Sequence, residues 1–233
     1  MTEEPKSVAI LGASGEMGRA FNKILAEKYP NANLNAFSQQ GPGAIDYTDE
    51  GAIAQAAEFA SKENPLDLVI VTNGILHEKD LMPEKSLKDL SADKFHRVFA
   101  VNAVVPALIA KHFLPKLAKD KPSKFCVLSA RVGSISDNRL GGWYSYRASK
   151  AALNMIVKNS AIEIARTNKQ AVVVALHPGT VDSKLSKPFQ GNVPESKLFK
   201  AEYSAGKLLE VLTKLSPEQS GKCFAWDGKE IEP

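Results

Sequence analysis

Tyr146 and Lys150 are the side chains of this 233-residue sequence whose types and spacing most directly suggest chemistry. They stand four residues apart, so on a helix they share a face and their tips converge on one point. A phenol titrates near about 10 in water, too high to trade protons readily at neutral pH. A neighbouring ammonium favours the phenolate and lowers that value, which would make the pair an acid/base unit. The same spacing also fits a half-buried tyrosine beside a solvated lysine, so the pair needs a cofactor and a binding loop elsewhere in the chain. Asn102 and Pro106 add a second feature. Proline has no N–H, so the carbonyl of Asn102 loses its helical partner and can hold a water. Near Lys150 that water would extend a proton relay; an Asn102 remote from Lys150 would exclude it.

The elements that must position these residues follow from the hydrophobic pattern. An apolar, alanine-rich run from Trp143 to about Arg166 predicts a buried helix under Tyr146 and Lys150. Ser7–Leu11 is a short apolar run, as expected for a parallel strand covered on both faces. It ends in Gly12-Ala13-Ser14-Gly15-Glu16-Met17-Gly18, and helical spacing follows from Arg19. Strand, glycine-rich turn and helix form a diphosphate site when the backbone approaches the ligand and the helix N-terminus offers free N–H groups; the alternative is a tight turn without a ligand.

Asn33–Phe37 reads as a second strand and Ala44–Asp49 as a third. Ser38-Gln39-Gln40 follows the second, where dinucleotide folds discriminate the adenosine ribose. Ser38 could bond a ribose 2′-hydroxyl or a 2′-phosphate. The lack of an acid there tilts the reading toward NADP over NAD, because a carboxylate would repel the phosphate. Asp46 could accept from an adenine amino group or serve as a cap. A helix over about 50–62 precedes the buried strand 66–72, which ends in Asn73-Gly74; a glycine there permits close approach of a ligand. A long helix from Ser91 to about Leu117, strands at 124–128 and 171–176, a helix over 201–214 and a last strand at 222–226 complete the alternation. Residues 183–198, rich in Ser, Lys, Pro and Gly with Phe189 as main apolar anchor, predict a lid over a pocket. The pattern predicts one α/β domain over 1–233, a Rossmann-like, doubly wound parallel sheet.

Composition narrows the partners. Hydrophobic content of 44% and charge of 24% are ordinary for a globular chain, and the net charge of +4 comes from scattered lysines. No basic block points to nucleic acid. The N-terminal residues Met1–Pro5 carry acids where a signal peptide needs bases, and no apolar run is expected to reach membrane-spanning length, so a cytoplasmic protein without a membrane partner is expected. Cys126 and Cys223 sit in apolar runs and read as reduced core residues. The four histidines lie on different elements, so no metal site is expected. No nucleophile elbow or phosphate-binding lysine loop points to a hydrolase or an NTP-using enzyme.

Taken together, the glycine-rich turn, Asn73-Gly74, Asn102, Tyr146-x-x-x-Lys150 and Pro178-Gly179 resemble the short-chain dehydrogenases/reductases over nearly the whole chain. Arg131–Ile135, Gly141–Tyr144, His177–Val181 and Trp226-Asp227-Gly228 resemble the C-factor and sniffer-type carbonyl reductase branch. The resemblance implies hydride transfer between NAD(P)(H) and a small-molecule carbonyl or alcohol, with Tyr146 as acid/base, Lys150 lowering its pKa and bonding the nicotinamide ribose, and Asn102 holding the relay water. Gly12, Ser14, Gly15, Met17 and Gly18 would line the diphosphate. Asp46, Tyr47, Asn73 and Gly74 would lie along the adenosine half, and Pro178, Gly179, Thr180 and Val181 along the nicotinamide half. A homodimer or homotetramer is the family habit.

Three departures stand out from that pattern. Glu16 replaces the middle glycine of the turn, Val71-Thr72 replaces a pair of asparagines, and Ala130 falls where the family carries a substrate-orienting serine. Ser134 is favoured over Ser129 as its substitute, with no substitute as the third option. Intact Tyr146, Lys150 and Asn102 favour an enzyme; Ala130 and Glu16 favour a rival reading, a dinucleotide-binding signalling or regulatory protein with little turnover.

Overall fold

In the computed structural model, which describes residues 4–191 and 193–233, the apolar runs line up as the centre of one sheet. Its strands are β1 (Ser7–Leu11), β2 (Asn33–Phe37), β3 (Leu68–Val71), β4 (Ser123–Leu128) and β5 (Ala171–His177). Two short strands, β6 (Thr180–Val181) and β7 (Leu198–Phe199), pair outside it, and β8 (Cys223–Ala225) and β9 (Glu230–Ile231) close the chain. The main sheet has the order β2-β1-β3-β4-β5-β8-β9, parallel except for the last pair. Residues of β1, β3 and β4 are buried throughout, which is why their sequences are largely apolar runs rather than alternating ones; the buried Lys124 of β4 donates to the Leu215 carbonyl.

Helices cover both faces. Packed on one face are α2 (Glu50–Ala60), α4 (Val105–Phe113) and α5 (Tyr144–Ile164), joined by Ile53, Ile109, Phe113, Leu153 and Val157. On the other, α1 (Glu16–Lys28) and α6 (Ala201–Lys214) bury Phe21, Leu25, Leu208 and Leu212 against Val8, Ile10 and Val174. The chain leaves β1 for β2 on one side and returns to β3 on the other. That reversal opens a crevice at the carboxyl ends of β1 and β3, where such sheets bind ligands.

Three expectations are corrected. Residues 44–49 form no strand: Ala44 makes a single bridge to Ser38, and then Asp46 turns the chain by accepting from the Thr48 N–H at 2.8 Å and its hydroxyl at 2.7 Å. Ile45 and Tyr47 are buried there, which gave the segment its strand-like alternation. The single helix expected over 91–117 is α3 (Ala92–Phe99), a π-turn over Ala100–Val104, α4 and a 3-10 turn at Leu114–Lys116. Pro106 accounts for the interruption: without its N–H the ladder widens, and the Val105 N–H reaches back to the Ala100 carbonyl. The same run, Ala92–Lys116, is also long and apolar enough to cross a membrane by length and composition, contrary to expectation. Half of its most apolar stretch is buried inside the fold, as befits a helix packed on the sheet and α5.

Candidate active site

The crevice deepens into a cavity of about 560 Å³ lined from six parts of the chain. One wall is the start of α1. Gly12 takes φ +82°, and its N–H is shared between the Phe37 carbonyl and the Tyr47 hydroxyl, each at 2.9 Å. A Cβ on Gly12 would lie 2.6 Å from Thr72 Oγ1, and one on Gly18 only 2.4 Å from the Gly12 carbonyl, so both glycines are required by close packing of the turn. Gly15 caps the helix, and Gly15, Glu16, Met17 and Gly18 face the cavity. Ser14 is exposed, and its carbonyl accepts from the Arg19 guanidinium.

Thr72, substituted for a family asparagine, ties the next wall to the turn. Its hydroxyl is within reach of the Leu11 carbonyl at 2.9 Å and the Gly12 carbonyl at 3.0 Å. Asn73 and Gly74 follow on the cavity surface, and the Asn73 Oδ1 is buried without a partner. Gly74 lies between the two groups expected to form the relay: a Cβ there would be 3.5 Å from both Asn102 Oδ1 and Lys150 Nζ. Asn102 is thus close to Lys150. Its side chain, however, is fully engaged, accepting from the Ile75 N–H at 2.8 Å and donating to the Ile75 carbonyl at 2.9 Å and Ser149 Oγ at 3.1 Å. The amide is a clamp between the exit of β3 and α5.

Helix α5 supplies Tyr146 and Lys150. Tyr146 faces the cavity with no hydrogen-bond partner for its hydroxyl among the described residues. Lys150 Nζ lies 5.9 Å from the Tyr146 ring centre and donates to the Leu128 carbonyl at 2.9 Å. Gly133 allows this approach, since a Cβ on it would lie 2.9 Å from the Lys150 backbone. Burial pushes the Tyr146 phenol up to about 12 and pulls the Lys150 ammonium down to about 8. The expected lowering of the phenol by its lysine is therefore outweighed by desolvation. A phenol that keeps its proton at neutral pH suits a donor to a carbonyl oxygen.

The remaining wall follows β5. His177, Pro178, Gly179, Thr180 and Val181 all line the cavity. Gly179 takes φ +75°, and a Cβ on it would strike the Phe199 ring at 2.6 Å. Ser204 Oγ holds the Pro178 carbonyl at 2.6 Å from α6. His177 Nδ1 is buried without a partner, and desolvation, helped by the Arg131 charge, pulls the imidazole down to about 4. Residues 183–198 pass over this side between β6 and β7 and contribute Leu185, Phe189 and Val193; Asn192, like Met1–Glu3, lies outside the described residues.

Not every expected residue reaches the cavity. Ser134 is buried beside it, with Oγ accepting the Asp137 N–H at 3.1 Å. Ser129 lines it, but its hydroxyl donates to Asn154 Oδ1 at 2.7 Å, and Ala130 presents no hydroxyl. At the β2 end, Ser38 Oγ donates to the Gln40 carbonyl at 2.6 Å and Asp46 is held by Thr48. Tyr47 is buried under the glycine turn, and burial raises its phenol. Glu16 turns to the rim, 3.4 Å from the Lys184 N–H and 4.0 Å from the Arg19 guanidinium. Sequence reasoning assigned no role to Trp143, which takes φ 52° and meets Tyr146 and Phe189 edge-on at 6.1 and 5.0 Å. The adjoining Gly141-Gly142 was the available signal.

Fold, glycine turn and Tyr–Lys pair together define an oxidoreductase of the dinucleotide-binding class. The family model described as short chain dehydrogenase matches residues 6–193. Over 232 residues the chain is 28% identical to 1-hydroxy-2-glutathionyl-2-methyl-3-butene dehydrogenase of Rhodococcus sp. (strain AD45), covering 95% of this chain and 97% of the relative. C-signal of Myxococcus xanthus is 33% identical over 146 residues, 63% of this chain and 82% of its own. NADPH-bound carbonyl reductase from chicken fatty liver superposes with a TM-score of 0.83 at 25% identity, covering 99% of this chain and all 100% of its own. Carbonyl reductase Sniffer of D. melanogaster shares the fold with a TM-score of 0.78 at 21% identity, covering 98% and 99%. The chain belongs to the short-chain dehydrogenase family, and the resemblance to its C-factor and sniffer-type branch is borne out.

Proposed function

We propose that the protein is an NAD(P)-dependent carbonyl reductase in which Tyr146 is the general acid/base, Lys150 its charged partner and Asn102 the fastening of the relay. One observation carries this reading: Asn102 Oδ1 and Lys150 Nζ meet at Gly74 beside the Tyr146 phenol, on a cavity fed by a glycine-rich helix start. The residues present fit a nicotinamide dinucleotide. The α1 N-terminus offers unpaired N–H groups to a diphosphate, Gly74 and Gly179 leave the backbone bare, and Asn73 Oδ1 and His177 Nδ1 are polar atoms in want of partners. Such a cofactor, when bound, supplies the hydride. The NADPH held by the chicken liver relative and the absence of an acid after β2 favour NADP, with NAD as the alternative.

Tyr146 donates its proton to the substrate oxygen as negative charge develops there, and Lys150 stabilises the phenolate left behind. Leu128 orients the ammonium, and the Asn102 carbonyl, freed by Pro106, serves the water that returns the proton. Phe189 and Trp143 exclude bulk water from above, which makes 183–198 a lid. No serine replaces the hydroxyl missing at Ala130, since Ser134 and Ser129 are both committed elsewhere. Exposed Met155 and Ile162 on α5 and Val104 beside it suit a homodimer or homotetramer, which sedimentation would measure.

The regulatory alternative draws on the likeness to C-signal but leaves an aligned acid/base pair unused. The test is a fluorescence titration with NADPH and NADH, followed by an aldehyde, ketone and quinone panel on wild type and Tyr146→Phe. Turnover that depends on Tyr146 is expected. Cofactor binding with no Tyr146-dependent turnover would overturn the enzyme reading, and no binding would overturn both.

A further inference from the structure

Helix α5 begins without a capping side chain of its own. Trp143 occupies the cap position at φ 52°, preceded by Gly141 at +64° and Gly142 at +65°. Three successive left-handed residues, one of them a tryptophan, persist only when their surroundings hold them. The holder is Glu84, from the loop before α3. Its carbonyl accepts the Trp143 N–H at 2.5 Å, and its Oε2 accepts the Ser145 N–H at 3.1 Å. Glu84 is 1% exposed, and its Oε1 is buried with no partner. A carboxylate here meets the positive end of α5 and takes the place of the missing cap.

Glu84 itself does not line the cavity; what it grips does. Ser145 immediately precedes Tyr146, and the Trp143 ring stands against both the Tyr146 ring and Phe189 of the overlying segment. We propose that Glu84 is a positioning residue that sets the Tyr146 phenol and the Trp143–Phe189 contact through two hydrogen bonds to the first turn of α5. The inference rests on the carbonyl reductase reading for its kinetic consequence, but not for its structural one. A cap that served stability alone would be met by a serine or aspartate at position 143; an acid 59 residues away, buried with one oxygen unspent, fixes a turn that a local cap would not hold left-handed.

The test compares wild type, Glu84→Ala and Glu84→Gln in NADPH-dependent reduction of the best substrate from the carbonyl panel, with NADPH titration and thermal unfolding alongside. Misplacement of an acid by about 1 Å costs up to a hundredfold, so Glu84→Ala is expected to lower kcat roughly ten- to a hundredfold. NADPH affinity should stay within about twofold, and Glu84→Gln, whose amide oxygen still accepts from Ser145, should recover most of the loss. A separate readout uses the Trp226→Phe background, where Trp143 is the one remaining tryptophan of the two. There Glu84→Ala should raise acrylamide quenching of Trp143 and Glu84→Gln should not. Should wild type reduce no carbonyl, the functional reading fails and quenching alone judges Glu84. Unchanged quenching, a kcat within twofold of wild type, or joint loss of kcat, NADPH binding and folding in both variants would each overturn the proposal.

Discussion

The two ends of the crevice treat their polar side chains in opposite ways. At the β2 end every candidate is already satisfied within the chain: Ser38 by Gln40, Asp46 by Thr48, Tyr47 by Gly12. At the α5 end the Tyr146 hydroxyl and His177 Nδ1 have no partner among the described residues, and between the two ends Asn73 Oδ1 is likewise without one. Buried polar groups are normally paired, so those left unpaired on the cleft wall are where a ligand's polar atoms are expected. The difference teaches that one end of this cleft keeps polar side chains uncommitted, while the other has spent them on its own fold.

The largest expected effect breaks the side-chain end. Tyr146→Phe should lower the rate of carbonyl reduction by roughly 10²–10⁴-fold, the usual contribution of a positioned acid, while NADPH affinity stays nearly constant in a fluorescence titration. Loss of binding along with rate would show that the phenol holds cofactor rather than reacts.

Breaking the shape of the turn comes next. Gly18→Ala places a methyl 2.4 Å from the Gly12 carbonyl and 2.7 Å from Ala13 Cα. Overpacking of this kind costs about 1–3 kcal/mol, so NADPH affinity should fall by about tenfold or more and the melting temperature should drop. An unaltered affinity would mean that the turn does not shape the diphosphate site.

A smaller, graded effect comes from pH. Lys150 is pulled down to about 8, so its charge is present below that value and is lost as pH rises through it, while Tyr146, near about 12, keeps its proton. Reduction should therefore decline severalfold between about pH 7 and 9, and Lys150→Arg, which does not titrate in that range, should flatten the profile. A profile in wild type that is level to pH 10 would count against a charged Lys150 in the reaction.

The smallest effect belongs to the satisfied end. With its hydroxyl committed to Gln40, Ser38→Ala should change the NADPH-to-NADH preference by less than about threefold, about the worth of one neutral hydrogen bond. A large change in the measured ratio of kcat/KM values would show that Ser38 abandons Gln40 for the ribose.

These contrasts also mark what was legible beforehand. β1 and α6 follow the expected bounds because an unbroken apolar run and an amphipathic stripe admit one structure each, and β2 follows them with Asn33 and Asn35 interleaved among its apolar residues. The meeting of Tyr146, Lys150 and Asn102 followed from helical spacing and motif order. Residues 44–49 misled because Ile45 and Tyr47 alternate as strand residues do, while Asp46 and Thr48 close a turn between them. The phenol's direction of shift could not be foreseen either, since spacing reveals a neighbouring charge but not the depth at which both are buried. Glu84 was invisible for a related reason: its partners lie about 60 residues on, and no periodicity records a contact of that range.

One amide ties these regions together. Asn102 joins the exit of β3 through Ile75, the π-turn that carries it, and α5 through Ser149. A ligand pressing on the Gly74 loop is expected to act through this amide on the helix bearing Tyr146. Asn102→Ala should consequently weaken NADPH binding and lower kcat together, whereas Tyr146→Phe changes kcat alone. Occupancy of the cleft and readiness of its acid are expected to answer to that one fastening.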